Sequence, residues 1–148
     1  MNWVVLHEFK KDDVELDAPW LCALDSVADA THLKFEATGE WKTLDSVLPA
    51  CKPDGLAGAT VPATSLILAT CRPGALIGKF GGSSAAHKEL ASPPAELVEN
   101  EPFPIGSLCV VKLPAAMLGP VFIGFNTTSR PLSVKTISVK ISGGRAGS

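Results

Sequence analysis

The chain has 148 residues, of which 46% are hydrophobic and 19% charged, so residues 1–148 are expected to fold as a single domain with its own core. The formal net charge is −2 and both signs are scattered along the chain, which excludes the concentrated basic surface typical of nucleic-acid-binding proteins. No apolar run approaches the roughly 20 residues of a membrane span. The N-terminal apolar stretch is short and interrupted by His7 and Glu8, so we expect no signal peptide and a cytoplasmic protein.

The first half of the chain shows short segments in which apolar and polar residues alternate. Trp3–Phe9 and Val14–Leu16 are predicted to be strands at sheet edges. Thr31–Ala37 alternates apolar with charged residues, which is typical of a strand with one face on a core and one in water. Ala23–Ala30 has too few apolar residues at helical spacing for more than one or two helical turns.

The second half contains strand-like segments that are more continuously apolar, as in strands at the centre of a sheet. They are Leu66–Thr70, Ala75–Phe80, Ser107–Leu113 and Val121–Phe125. Ser92–Pro104 is rich in proline and glutamate and is predicted to be an exposed loop. Thr136–Ile141 alternates again and is expected at an open sheet edge. Because 13 Gly and 12 Pro separate these short segments, the sequence predicts an all-β, jelly-roll-like antiparallel β-sandwich.

The apolar side of each proposed strand supplies the predicted core. We expect burial of Leu33, Phe35, Ile67, Leu76, Val110, Phe122, Ile137 and Val139. Trp41 is also expected to be a core residue, because Gly39 lets the chain turn and fold this large aromatic side chain over the rim of the sandwich. A sugar-stacking role is the second interpretation of Trp41.

The four cysteines form no CxxC pair and are expected to be free thiols in a reducing compartment. Cys22 and Cys109 lie in apolar runs and are predicted to be buried. Cys51 and Cys71 flank polar loops and are predicted to be more exposed.

Motifs that would indicate catalysis are missing from the sequence. The run GALIGKFGG fails as a phosphate-binding loop, because Phe80 follows Gly78-Lys79 where a serine or threonine is needed. His7, His32 and His87 show no zinc-binding spacing, and the serine-nucleophile motif GxSxG is absent. We therefore expect a protein that binds a ligand or partner and is not an enzyme.

An ordered set of segments resembles the PA-I galactophilic lectins, small calcium-dependent bacterial proteins that bind galactose. The similarity extends from about Val14 to Ile141, and its most specific part is GALIGKFG followed later by GPVFIGFN. The matching segments are Phe35–Trp41, Lys52–Gly55, Pro73–Gly81, Phe103–Gly106, Gly119–Asn126 and Ile137–Ile141. The resemblance implies a small jelly-roll-like sandwich that assembles into oligomers and binds a galactoside.

The resemblance also implies a site at the loop tips, where a single Ca²⁺ bridges protein oxygens and two sugar hydroxyls. The sugar-contacting positions correspond to Lys52, Pro53, Asp54 and Asn126. The metal-ligating positions correspond to Leu44, Asn126, Thr127 and Ser133. Ca²⁺ prefers roughly six to eight oxygen ligands and tolerates irregular geometry, so a sugar diol can complete its coordination.

The sequence departs from the family pattern at this site. Thr127 stands where the family has an aspartate, Leu132-Ser133 stand near an Asn-Asn pair, and the 127–135 loop has no carboxylate but carries Arg130 and Lys135. A hard divalent cation gains only neutral oxygens there, so the calcium site is expected to be weak or lost.

Two functions remain open from the sequence. One is a galactose-type carbohydrate-binding module. The other is a structural or protein–protein interaction domain that kept the sandwich and lost calcium and sugar, a hypothesis motivated by the altered metal loop and by the inserted segment Gly82–Glu101. For both functions we expect a homo-oligomer, because Thr136–Ile141 has only Lys140 to protect it as an open edge.

Overall fold

The computed structural model describes residues 2–16, 20–27, 30–43, 50–56, 61, 63–80, 102–113, 120–128 and 132–145. Apart from a single 3₁₀ turn at Ala63–Ser65, the regular structure in these residues is entirely β. No helix in them is long and apolar enough to cross a membrane. The eight strands are β1 Asn2–Leu16, β2 Trp20–Leu24, β3 His32–Thr43, β4 Leu76–Phe80, β5 Phe103–Pro104, β6 Leu108–Lys112, β7 Val121–Phe125 and β8 Leu132–Arg145.

These strands form two antiparallel four-stranded sheets. The first sheet has the order β1-β8-β3-β6 and the second has the order β2-β7-β4-β5. Apart from β4 and β5, consecutive strands lie in different sheets, which is the double Greek-key order of an eight-stranded jelly roll. The predicted all-β sandwich is therefore confirmed.

The core lies between the sheets and is formed by the inward-facing positions of each strand. Six of the eight predicted core residues are buried. Five of them lie in this core, as expected from period-two alternation: Leu33, Phe35, Leu76, Ile137 and Val139. Phe122 is buried on the opposite face of β7, in a smaller cluster with Trp20 and Ile77. Trp41 is 1% exposed and packs edge-on against Phe125, with 4.7 Å between ring centroids, so the prediction of a buried tryptophan is confirmed.

The predicted core positions Val110 and Ile67 are corrected by the structure. Val110 is 53% exposed because its strand, β6, lies at the edge of the first sheet and points this side chain away from the core. Ser107–Leu113 was therefore wrongly predicted to be a central strand. Ile67 is only half-buried, since it packs with Leu68 against a small cluster that contains Trp20 and Phe122.

Other predicted elements also differ from the structure. Leu66–Thr70 is not a strand but a series of bends and turns after the 3₁₀ turn. Thr136–Ile141 lies within β8, which pairs with β1 on one side and β3 on the other, so it is not an open edge. No helical turn occurs in the described part of Ala23–Ala30, where β2 ends at Leu24. The prediction for Ser92–Pro104 lies mainly outside the described residues, and that for Gly82–Glu101 lies wholly outside them.

The four cysteines are free thiols, but three of the burial predictions were wrong. Cys22 is exposed because it lies on the outer face of an edge strand, and Cys109 is only half-buried on the edge strand β6. Cys51 is buried because it pairs with Trp41 through an isolated β-bridge. Burial raises the pKa of the Cys51 thiol to about 12.

Candidate functional site

Several ordered loops meet at one end of the sandwich, where β3 and β7 end and β8 begins. We call this the loop end and define it by the turns Lys52–Gly55 and Arg72–Ala75 and the segment Asn126–Thr128. Both turns contain proline and glycine, residues that fix a sharp change of chain direction. The loop end contains most of the residues to which the lectin resemblance assigned a role.

The first turn is closed by the N–H of Gly55, which donates to the carbonyl of Lys52 at 2.8 Å. Pro53 occupies its second position, as expected for such a turn. The Asp54 carboxylate is held by Ser107: Oδ1 accepts the backbone N–H at 2.8 Å and Oδ2 accepts the hydroxyl at 3.0 Å. The side chain of Asp54 thus has a fixed orientation although the residue is exposed.

The second turn is closed by the N–H of Ala75, which donates to the carbonyl of Arg72 at 3.3 Å. Pro73 and Gly74 occupy its centre, and Gly74 has a φ of +75°, the arrangement of a type II turn. The two turns are joined, because Leu56 N–H donates to Pro73 O at 3.0 Å and Leu76 N–H donates to Pro53 O at 2.8 Å.

Trp41 connects the two turns to the core. Its backbone exchanges hydrogen bonds of 3.0 and 2.7 Å with Cys51, directly before the first turn. Its indole Nε1 donates to the Gly74 carbonyl at 2.8 Å, within the second turn. A Cβ atom on Gly74 would lie 2.6 Å from the Cys51 sulfur, so only glycine fits there. The loop end is therefore built on a buried tryptophan.

Asn126 holds the second turn from the other side. The residue is 0% exposed, and its Oδ1 accepts the Leu68 N–H at 2.7 Å. Its Nδ2 donates to the carbonyls of Leu68, Cys71 and Arg72 at 2.9, 3.2 and 3.1 Å. The side-chain amide is therefore engaged with the 68–72 backbone, and this gives Asn126 a structural task that the sequence did not suggest.

Three of the four residues that the resemblance assigned to calcium are described, and their side chains have separate environments. Asn126 directs its oxygen to a backbone N–H, and Thr127 is only 9% exposed. Ser133 lies on β8 between the buried residues Leu132 and Val134, so its side chain points to the outer face of the first sheet. Leu44 lies outside the described residues. Among the described positions, Asn126 and Ser133 therefore do not direct their side-chain oxygens toward one common point.

The residues assigned to the sugar are divided between surface and interior. Lys52 and Asp54 are exposed, whereas Pro53 and Asn126 are buried. Arg72 is exposed on the adjoining turn, and its Cβ lies 2.7 Å from the point where a Cβ on Gly55 would stand. Sequence reasoning missed both Arg72 and the anchor Ser107. The turn tripeptide Arg-Pro-Gly, parallel to Lys-Pro-Asp-Gly, was a signal that could have identified Arg72.

A separate cleft of about 310 Å³ lies between the edge strands β1 and β2. It is lined in part by His7, Cys22 and Asp25, residue types that occur in catalytic sites. The Cys22 thiol donates to Asp25 Oδ1 at 3.5 Å. Cys22 is exposed as a residue, but partial burial in the cleft, and then the hydrogen bond and negative charge of Asp25, raise the pKa of its thiol. A raised pKa lowers the fraction of thiolate, the nucleophilic form, so this cleft does not activate its cysteine.

No model of a known protein family matches this chain. No curated protein matches it either.

Proposed function

We propose that this chain is a non-catalytic carbohydrate-binding module of the galactose-type lectin kind, with a ligand site at the loop end that does not depend on calcium. The proposal is supported by one arrangement in particular: three exposed charged side chains, Lys52, Asp54 and Arg72, lie on two turns that are hydrogen-bonded to each other. Binding residues on loops that a rigid β-scaffold positions are typical of sandwich proteins.

The chemistry of these side chains suits a ligand rich in hydroxyl groups. Each oxygen of Asp54 already accepts one hydrogen bond from Ser107, and a carboxylate oxygen can accept two. The remaining lone pairs can accept ligand hydroxyls, while Lys52 and Arg72 can donate to hydroxyl or ring oxygens. Because Ser107 fixes the carboxylate in advance, little side-chain entropy is lost when a ligand binds.

The test is binding of galactosides and other glycans to immobilised arrays, with excess calcium and with excess chelator. We expect binding that is the same in both conditions. Asp54→Asn should weaken it by about 10-fold or more, since a hydrogen bond to a charged group contributes about 1.5–3 kcal/mol. Asparagine at this position can still accept from the Ser107 N–H and donate to its hydroxyl, so the turn should be retained.

The matched control is Asp12→Asn. Asp12 is also an exposed aspartate whose oxygen accepts from a hydroxyl, that of Thr136 at 2.8 Å, but it lies on β1 away from the joined turns. We expect this variant to bind as the wild type does. Absence of glycan binding, or equal binding by both variants, would refute the proposal.

A structural or protein–protein interaction role has its own support. Four large apolar side chains in the described part of the chain are more than half exposed, and they lie on the edge strands of the first sheet: Val4, Val5, Leu108 and Val110. If no glycan binds in any condition, this second function becomes the better supported one.

A further inference from the structure

The two edge strands of the first sheet differ sharply in how well they are protected against pairing with another strand. β1 has a bulge between Val5 and His7, a positive φ of 48° at Asp13, and exposed charges along most of its length. Charges and bulges are the usual means by which proteins block an open edge. β6 has five residues and no bulge, and its only charged residue is the terminal Lys112.

The hydrogen-bond register shows which backbone groups of β6 face outward. The Ser107 carbonyl accepts from Ala37 N–H at 2.9 Å, and the Leu113 N–H donates to the Thr31 carbonyl at 2.8 Å. In an antiparallel ladder the bonding residues alternate, so Cys109 and Val111 also point toward β3. The N–H and C=O groups of the remaining residues therefore point to the edge: Leu108, Val110 and Lys112.

We propose that β6 is the site at which a second copy of this chain binds, by antiparallel pairing of the two β6 strands about a twofold axis at Val110. Among the residues that the structure describes, no strand pairs with the outer edge of β6. In this register Val110 faces its own counterpart and Leu108 faces Lys112 of the other copy. The Leu108–Lys112 pair occurs twice because of the twofold axis, so there are three pairs of outward-facing residues. Each pair exchanges two backbone hydrogen bonds, about six in total.

The side chains of the outer face are complementary in the same register. At the axis lie two valines, so no like charges face each other. Lys112 would extend over Leu108 of the other copy toward Glu36 of that copy, the neighbour of Leu108 on β3. The Glu36 carboxylate also pairs with Lys140 at 3.6 Å and with Lys34 at 4.0 Å within its own copy. The backbones of Lys112 in one copy and Glu36 in the other are two strand spacings apart, about 10 Å, a distance that lysine and glutamate side chains can bridge. On both sides of the axis Lys112 thus approaches a partly exposed carboxylate that can accept a further cation, which favours a second copy as the occupant.

The sequence prediction of a homo-oligomer rested on a different strand. Thr136–Ile141 was expected to offer the open edge, but it lies inside β8 and is paired on both sides. The unprotected edge is instead β6, whose outer-face residues Leu108 and Val110 are 64% and 53% exposed.

The test is sedimentation equilibrium of the full chain over a wide concentration range, with two matched variants. Val110→Lys places two lysines opposite each other at the axis and should weaken dimerisation at least tenfold. Val5→Lys is the control, because Val5 has the same 53% exposure but lies on the other edge strand of the same sheet. We expect it to dimerise as the wild type does. Circular dichroism and melting of each variant verify that the sandwich is intact.

A second measurement reports on the backbone directly. In the dimer, amide hydrogen exchange at Leu108, Val110 and Lys112 should slow as protein concentration rises, while Cys109 and Val111 are protected at every concentration by β3. Val110→Pro removes an outward-facing N–H without removing a bond to β3, and it should abolish the concentration dependence. A wild type that stays monomeric, loss of the dimer in both lysine variants, or exchange independent of concentration would overturn the proposal.

Discussion

Replacement of Asn126 distinguishes a structural asparagine from a ligand-binding one. Its side-chain amide makes four hydrogen bonds to the backbone of Leu68, Cys71 and Arg72, and the residue is fully buried. An asparagine whose side chain served an external ligand could be replaced with little effect on stability. Here we expect Asn126→Ala to destabilise the fold itself.

The expected magnitude follows from the groups that lose their partner. The Leu68 N–H and the carbonyls of Leu68, Cys71 and Arg72 lose their hydrogen-bond partner. Each buried polar group left without a partner lowers the free energy of unfolding by about 1–3 kcal/mol. Water can reach some of them once the 68–72 loop loosens, so we expect a total loss of roughly 2–4 kcal/mol in the free energy of unfolding. For a domain of this size that lowers Tm by about 5–15 °C.

Asn126→Asp adds a dependence on pH whose sign can be worked out. One carboxylate oxygen can accept the Leu68 N–H, but the other would face three carbonyl oxygens at the distances now occupied by Nδ2. The charged form is repelled, so the pKa of the introduced carboxyl group in the folded state should lie above the usual aspartate value of about 3.9. A group whose pKa is raised by folding binds its proton more tightly in the folded state. The variant should therefore lose stability, relative to wild type, as the pH rises from about 4 toward 7.

Urea denaturation of wild type, Asn126→Ala and Asn126→Asp at several pH values measures these effects. Asn2→Asp is the control, because Asn2 is exposed at the start of β1 and lies opposite Arg145, so a carboxylate there should not lower stability as the pH rises. If Asn126→Ala unfolds at the same urea concentration as wild type, Asn126 does not hold the loop. If Asn126→Asp shows no additional pH dependence, the three carbonyls do not surround it as described.

Three further predictions concern the two buried tryptophans, the Cys22 thiol and calcium. Trp41 and Trp20 are both 1% exposed, but Trp41 Nε1 donates to Gly74 O whereas Trp20 Nε1 has no partner among the described residues. Trp41→Phe should therefore lower the free energy of unfolding, measured by chemical denaturation, by about 1–2 kcal/mol more than Trp20→Phe does. Equal decreases would contradict this assignment. At pH 8, Cys22 should react with iodoacetamide faster in Asp25→Asn than in wild type, because Asp25 contributes to the raised pKa of the thiol. Buried Cys51 should stay unmodified in both proteins. An unchanged rate at Cys22 would show that Asp25 does not influence this thiol. Excess calcium and excess chelator should give the same Tm, since a micromolar calcium site at millimolar calcium would add roughly 4 kcal/mol and produce an obvious shift.

The sequence predicted the fold class well because period-two alternation is a local signal. Leu33, Phe35, Ile137 and Val139 lie on strands whose two faces see different environments, so the pattern of side chains alone identifies the buried face. Strand position within a sheet is not a local property. Ser107–Leu113 is as apolar as a central strand, yet β6 lies at an edge and exposes Leu108 and Val110.

The candidate site was less predictable, for a related reason. Lys-Pro-Asp-Gly indicates a turn, but nothing in it shows that Asp54 is held by Ser107, more than 50 residues away in sequence. Asn126 follows an apolar strand, where a polar residue suggests a ligand site. Only the folded chain shows that the side-chain amide of Asn126 is hydrogen-bonded to the 68–72 backbone. Long-range hydrogen bonds of this kind leave no periodic pattern.

The proposed dimer edge and the proposed ligand site are physically close, because Ser107, which holds Asp54, directly precedes β6. With the axis at Val110, the two copies of Ser107 lie three residues to either side of it. At about 3.3 Å per residue, the two Asp54 turns stand roughly 20 Å apart in one dimer. If both proposals hold, the dimer is a bivalent binder with two separated, identical sites.

Bivalence gives a prediction that neither proposal makes alone. Val110→Lys should reduce apparent affinity for a densely glycosylated surface by a large factor, because each monomer then binds through one site. Its affinity for a free monovalent saccharide should equal that of wild type, since Lys52, Asp54 and Arg72 are unchanged. Val5→Lys should match wild type in both assays. If Val110→Lys loses as much affinity for the free saccharide as for the surface, the substitution damages the site itself. If Val110→Lys and wild type bind the surface with equal affinity, avidity does not depend on β6.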